Sequence, residues 1–405
     1  MATSAAKLLK TVERGLSFEG ARDRILATAP EPKAIPLPIQ DAAGHTLAQP
    51  LKAARTTPPW PVSAMDGYAI RHSDLSAAPL RLDGQTAAGD GAGEALGPRR
   101  ARRIFTGALL PPGADTILIQ EEAELASDTL RVLRTPKEGD FVRPAGFDFS
   151  EDQVLLEAGQ VLTPPELALV AAANCAQVQV AQPPRIAVLS TGDELRAPGR
   201  ASAPEHVVAS NGLALSALLK TEGAEVQDLG FVGDDLATIQ AKIIEAQGPS
   251  DLLITTGGAS VGDFDLVQEA LARCGGTPQF WQVMMRPGKP VFLWRLERLT
   301  VLGLPGNPVS AYVCARLLAL PWLRKALGHH TLFEAELSLP LAGPMPANGP
   351  RRQFARAELR DGKLHPAKSQ DSSLLRTLHS AGALINRPPQ DPAKTESEQV
   401  LALLI

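Results

Sequence analysis

The chain has 405 residues, with 44 acidic and 40 basic side chains and a formal net charge of −4 at pH 7. Such a length exceeds one ordinary domain, and roughly two to four are expected. The lack of a basic excess argues against nucleic acid as a partner, and no apolar run approaches the ~20 residues that span a bilayer. Cys175, Cys274 and Cys314 are odd in number and far apart, which suits neither a disulfide framework nor a zinc site. Lys7, Lys10, Glu13 and Arg14 leave the N-terminus without a signal peptide's apolar core. A soluble, cytoplasmic protein is expected.

In chain order, residues 1–54 carry two helical patterns broken by Pro30, Pro32, Pro36 and Pro38. Residues 55–144 hold short strand-like runs (Ile104-Phe105, Thr116 to Ile119, Leu130 to Leu133) among many Gly and Pro, which predicts a small β-rich domain. The basic block of Arg99, Arg100, Arg102 and Arg103 reads as a solvated rim. A helix around Pro165 to Ala173 rejoins the first segment, giving a linker domain of 1–54 with 145–182. From 183 to 328, strand and helix patterns alternate. Arg185 to Ser190 is a strand, and Ser210 and Asn211 open a helix that stops at Gly223. A strand over Val226 to Val232 is followed by a helix opened by Asp234, then strands at Leu252 and at Thr300 to Leu304. A long apolar helix starts at Pro308. This alternation predicts a doubly wound, mostly parallel α/β sheet, with ligands beyond the carboxyl ends of its strands. The loops at Thr191, Gly257 and Gly306 fall on that edge. Residues 329–405 alternate short strands and turns and suggest a small β-barrel.

Five segments have the composition of a site. Leu252-Leu253-Ile254 empties into Thr255-Thr256-Gly257-Gly258-Ala259-Ser260-Val261-Gly262-Asp263-Phe264-Asp265 ahead of an apolar helix. Glycines let the backbone approach a ligand, and free N–H groups there suit phosphate. The two aspartates suit a divalent cation that bridges to it. Ser190 to Leu195 places Asp193 and Glu194 beside a Ser/Thr/Gly turn at a strand's end. Ser63 to Tyr68 carries Asp66 on an Asp-Gly turn, and Phe105 to Ala108 offers the Thr106 hydroxyl. Arg286-Pro287-Gly288-Lys289-Pro290 spaces two cations on a stiff turn, a clamp for a tetrahedral oxyanion. Paired with it, Leu304-Pro305-Gly306-Asn307-Pro308 opens a helix whose first amides would point at a ligand. The seven His residues are scattered and suggest no catalytic triad.

Together these segments, with Pro112-Gly113-Ala114-Asp115 and Gly146-Phe147-Asp148, resemble the molybdopterin molybdenumtransferase (molybdenum insertase) family along nearly the whole chain. The resemblance implies an elongated, multidomain fold: the linker domain, a small β-rich domain at 55–144, an α/β domain of molybdopterin-binding type at 183–328, and a C-terminal β-barrel at 329–405. It implies the last step of molybdenum cofactor synthesis, in which molybdate is inserted into adenylylated molybdopterin and AMP is released with Mg²⁺. It further implies a homodimer with each site built between the α/β domain of one subunit and the small β domain of the other. Transient contacts with the adenylylating enzyme and with acceptor molybdoenzymes follow from that role.

By position, Asp66, Thr106, Asp148, Glu194, Asp234 and Asp265 match the family's functional acids and hydroxyl, with Asp66, Glu194 and Asp265 as Mg²⁺ ligands. Thr256, Gly257, Gly258 and Ser260 match the phosphate-holding loop, Arg286 and Lys289 the basic pair, and Pro305 and Pro308 the proline loop. Arg352 and Ser373 of the C-terminal domain are implied to reach the site. Arg286 and Gln282 stand where relatives often carry Lys, and Phe147 replaces an acid beside Asp148, so oxyanion affinity is where this chain departs. Two other functions compete: an adenylyltransferase acting on the pterin, and a non-catalytic dimeric scaffold.

Overall fold

The structure, a computed structural model, describes residue 5 and residues 8–77, 79–257 and 266–405. Of the predicted site residues, Gly258, Ser260 and Asp265 lie outside the described residues.

A seven-stranded sheet runs in the order Arg14–Leu16, Thr277–Val283, Phe292–Leu296, Leu299–Leu304, Leu252–Thr256, Arg185–Thr191, Glu225–Val232. Leu252–Thr256 pairs in parallel with both its neighbours, and Arg185–Thr191 does the same. Both strands are buried on each face, which is why they read as unbroken apolar runs. Alternate side chains feed two cores. Ile186, Val188, Leu252 and Ile254 join Leu215 and Leu219 of helix Asn211–Thr221. Ala187, Leu189 and Leu253 join Ile239 and Ile243 of helix Leu236–Gln247 on the other face. The sheet is therefore doubly wound.

Several local details differ from the sequence reading. Phe292–Leu296 and Thr277–Val283 insert antiparallel pairing into the sheet. The hairpin of Phe292–Leu296 with Leu299–Leu304 turns at Glu297, held at φ 54°, instead of the Asn-Gly or Asp-Gly pair that signals such turns. Asp235, not Asp234, caps its helix, accepting from the Thr238 amide at 2.8 Å. The helix from Pro308 is three pieces: Pro308–Cys314, a π segment Ala315–Ala319, and Leu320–Ala326. Pro321 lacks the N–H that would continue the ladder, and the wider turn lies just ahead of it. Strand Arg14–Leu16 adds to the sheet edge, and helix Phe18–Leu26 packs on its core through Phe18, Ala21 and Ile25. Ala34–Pro38, although it holds Pro36 and Pro38, pairs antiparallel with Gln177–Ala181 as a two-stranded ribbon.

The small β-rich part is a six-stranded sheet with Gly67–Ile70 between Thr116–Ile119 and Arg100–Ile104. Its basic block is a solvated rim at Arg99 and Arg100, which are exposed, but not at Arg102 and Arg103. Arg102 is 8% exposed and donates to the Asp83 and Glu94 carbonyls, both at 2.9 Å. Arg103 stacks on Tyr68 and Phe105, 5.1 Å from each ring centre. The stems of these arginines cover apolar surface while their heads find carbonyls. The C-terminal six-stranded sheet takes one strand, Met285–Arg286, from ahead of residue 329 and pairs it in parallel with Arg352–Arg360.

Candidate functional site

A cleft of about 990 Å³ lies at the carboxyl edge of the parallel strands. Its floor is Thr191, Thr256 and Gly257, where two adjacent strands end. The Ser190 and Thr256 hydroxyls are 3.0 Å apart, while the buried Thr191 Oγ1 has no partner among the described residues. Gly257 has φ +89°, and a Cβ there would come within 2.2 Å of the Thr191 carbonyl oxygen. Gly257→Ala therefore must push the floor apart and strain the backbone. We expect it to abolish turnover and lower the thermal midpoint, checked by calorimetry beside an activity assay.

The walls come from three directions. Glu194 and Lys289 are the charged residues lining the cleft among the described residues. The proline loop supplies Pro305, Gly306, Asn307 and Pro308. Asn211 ties this loop to the preceding helix by donating to the Gly306 carbonyl at 2.7 Å. Ser373 closes the cleft from the C-terminal part. Asn307 donates to Ser372 Oγ at 2.9 Å, and the Val309 amide donates to the Ser372 carbonyl at 3.1 Å. The first amide beyond Pro308 is therefore satisfied within the chain and is not free for a ligand, contrary to the sequence reading. Arg356, 2% exposed, secures this wall by donating to the Asp371 carbonyl at 2.9 Å and to that of Leu374 at 3.5 Å. Within the wall, the Ser373 hydroxyl and amide hold the Asp371 carboxyl below its usual range. We expect Arg356→Met to raise the substrate concentration needed for half-maximal turnover more than it lowers the maximal rate, as a loosened wall requires.

Other predicted residues stand outside this cleft. Arg286 does not line it, because strand pairing with Gln353 holds it in the C-terminal sheet; Lys289 is the cation present. Arg352 instead pairs with Glu19 at 2.6 Å and lines a different cavity. Asp234 sits behind Glu194, its amide donating to Asp193 Oδ1 at 2.8 Å. Burial raises the Asp234 carboxyl above its ordinary 3.8, and the charges of Asp193 and Glu194 raise it further. With a raised pKa the folded state keeps its proton longer than the unfolded chain, so stability falls as pH climbs through the window above 3.8. Asp234→Asn should flatten that decline and leave stability below the window unchanged, as read from urea midpoints across pH.

Asp66 and Thr106 meet in the small sheet. The Thr106 amide and hydroxyl donate to Asp66 Oδ1 at 2.8 and 2.9 Å. These two bonds, then the nearby Arg103 charge, hold the Asp66 carboxyl below its ordinary range. Asp148 is exposed nearby in sequence register, its amide donating to the Thr57 carbonyl at 3.1 Å. No described residue of 55–144 lines the cleft. Among the described residues, no three His, Cys, Asp or Glu side chains come together as a metal site. Within one chain Asp66 does not line the cleft that holds Glu194.

Comparison with known proteins decides the family. Family models match in sequence: the MoeA N-terminal region (domain I and II) over residues 16–174, a probable molybdopterin binding domain over 187–325, and the MoeA C-terminal region (domain IV) over 338–405. The molybdopterin molybdenumtransferase of Haemophilus influenzae is 36% identical over 316 residues, covering 77% of this chain and 78% of that protein. That of a Nostoc species is 38% identical over 296 residues, covering 71% and 68%. The chain belongs to the molybdopterin molybdenumtransferase family. It is thus a transferase of molybdenum cofactor biosynthesis. The crystal structure of a molybdopterin biosynthesis MoeA protein from Pyrococcus horikoshii superposes with a TM-score of 0.85 at 27% identity, covering 96% of this chain and 99% of that one. No helix among the described residues is long and apolar enough to cross a membrane.

Proposed function

We propose that this protein inserts molybdenum from molybdate into adenylylated molybdopterin in the cytoplasm, releasing AMP with the help of Mg²⁺. The observation that carries the reading is the cleft itself. It sets a lone lysine, a carboxylate and a hydroxyl-and-glycine floor at the strand ends of the α/β sheet. Molybdate is a dianion, and Lys289 offers it charge and hydrogen bonds. The floor at Thr191, Thr256 and Gly257, continued by Gly258 and Ser260, would hold the pterin phosphate.

Magnesium fits the donor set. It commonly takes one or two carboxylates and completes its shell with phosphate oxygens and water. Glu194 stands in the cleft; burial first, then the charges of Asp193 and Glu194, lift the Asp234 carboxyl, and a dication would relieve the charge part. Asp265 would be the second ligand from the same chain. When bound, the ion would offset charge on the separating phosphoanhydride.

In this reading the working site spans a homodimer, with Asp66, Thr106 and Asp148 reaching the partner's cleft. Two exposed apolar patches support it. Trp60, Met65, Phe141 and Phe147 surround the Asp66 and Asp148 turns, and Val207, Val208 and Leu375 rim the cleft. Burying such surfaces favours association. The test is AMP release from adenylylated molybdopterin on adding molybdate, with and without Mg²⁺. Molybdate-dependent release is expected; ATP consumption with bare molybdopterin would instead indicate an adenylyltransferase, and no turnover a scaffold.

A further inference from the structure

A second cavity, of about 360 Å³, opens where helix Phe18–Leu26, helix Leu320–Ala326 and the C-terminal sheet meet. It shares no lining residue with the cleft. Its volume lies at the lower end of the ~300–1,000 Å³ typical of small-molecule pockets. Four arginines line it. Three have carboxylate partners: Arg316 with Glu334 at 2.6 Å, Arg324 with Glu222 at 3.0 Å, and Arg352 with Glu19 at 2.6 Å.

Arg22 is different. Its nearest carboxylate oxygen, on the largely exposed Asp23, is 3.6 Å away and beyond hydrogen-bond reach. The Arg22 side chain is nevertheless only 25% exposed. Its guanidinium lies over Phe333 at 4.2 Å and near the Phe18 ring at 5.7 Å. The Nε atoms of Arg22, Arg316 and Arg352 are all buried without an acceptor. A largely buried cation with unfilled donors is costly. Stacking on rings fixes the guanidinium plane and leaves its N–H edge as a fork that matches two carboxylate oxygens. The rest of the lining sets Leu317, Pro321 and Leu403 among Glu19, Glu334, Glu336 and Asn386, with Glu19 and Glu334 each already paired to an arginine.

We propose that this cavity is a second ligand site, for a small organic carboxylate. Its oxygens pair with the Arg22 edge, and its apolar body rests on Leu317, Pro321 and Leu403. Three separate stretches of the chain build the cavity, so an occupant ties the N-terminal helix to the C-terminal sheet and stabilises both.

Benzoate is the probe, titrated calorimetrically into the full-length protein, with benzyl alcohol and inorganic phosphate as controls. Saturable benzoate binding is expected, with a raised thermal midpoint and weaker binding of both controls. Arg22→Met should weaken benzoate by at least ~10-fold, with Arg22→Lys in between because it keeps charge but loses the fork. Lys289→Ala, which alters the cleft, should leave benzoate binding intact. The proposal is overturned if folded wild type shows no saturable benzoate binding, or if phosphate binds more tightly. Undiminished benzoate binding in a folded Arg22 variant, or its loss in Lys289→Ala, would overturn it equally.

Discussion

Replacing Asp66 with Ala should leave the chain folded and remove nearly all molybdate-dependent AMP release. Asp66 is half-buried, and among the described residues its carboxylate bonds to Thr106 alone, so little packing is lost. Electrostatic groups of this kind typically contribute ~10²–10³ in rate. The low pKa guarantees that Asp66 is ionised at neutral pH and ready to meet a cation. A sharper form of the experiment mixes two impaired variants, Asp66→Ala and Lys289→Ala, at a molybdate concentration too low to saturate the Lys289→Ala site. If each site draws Asp66 from one subunit and Lys289 from the other, a mixed dimer regains one intact site. Recovery of activity on mixing is the expected result. No recovery, with mixed dimers confirmed by mass, would mean that both residues serve the same site from one chain.

The second large effect is expected for Lys289→Ala alone. Among the described residues Lys289 is the one cation lining the cleft; Arg286 does not line it and Gln282 is neutral. Losing a hydrogen bond to a charged group costs about 1.5–3 kcal/mol, which raises half-saturating molybdate by roughly ten- to a hundredfold. Gln282→Lys should move affinity the other way, because Gln282 lines the same cleft and a second cation there would face the dianion. Saturation curves for molybdate in a cofactor-reconstitution assay measure both.

Much of this arrangement was legible from residues alone, and the exceptions have physical causes. Strands such as Arg185–Thr191 and Leu252–Thr256 announce themselves because burial on both faces demands continuous apolar side chains. The hairpin of Phe292–Leu296 and Leu299–Leu304 does not, because tertiary burial rather than turn chemistry holds its Glu297 in place. Arg102 and Arg103 misread as a rim because sequence cannot show carbonyls and rings waiting for a guanidinium. Within the site, Glu194, Gly257, Lys289 and the proline loop were visible as clusters of Gly, Pro and charge. Arg286 was misplaced because a two-residue strand leaves no periodic signal. Ser372 and Arg356 went unread for a related reason. Their roles depend on carbonyls and amides contributed by segments remote in the chain.

The short strand Met285–Arg286 has a consequence for anyone dissecting the molecule. The ribbon from 284 to 289 is stitched to Arg352–Arg360 at one end and carries Lys289 at the other. Severing the polypeptide after residue 328 would unstitch it and let the lysine drift. The C-terminal module is thus no detachable appendage, and grafting it between homologues would demand a matching ribbon.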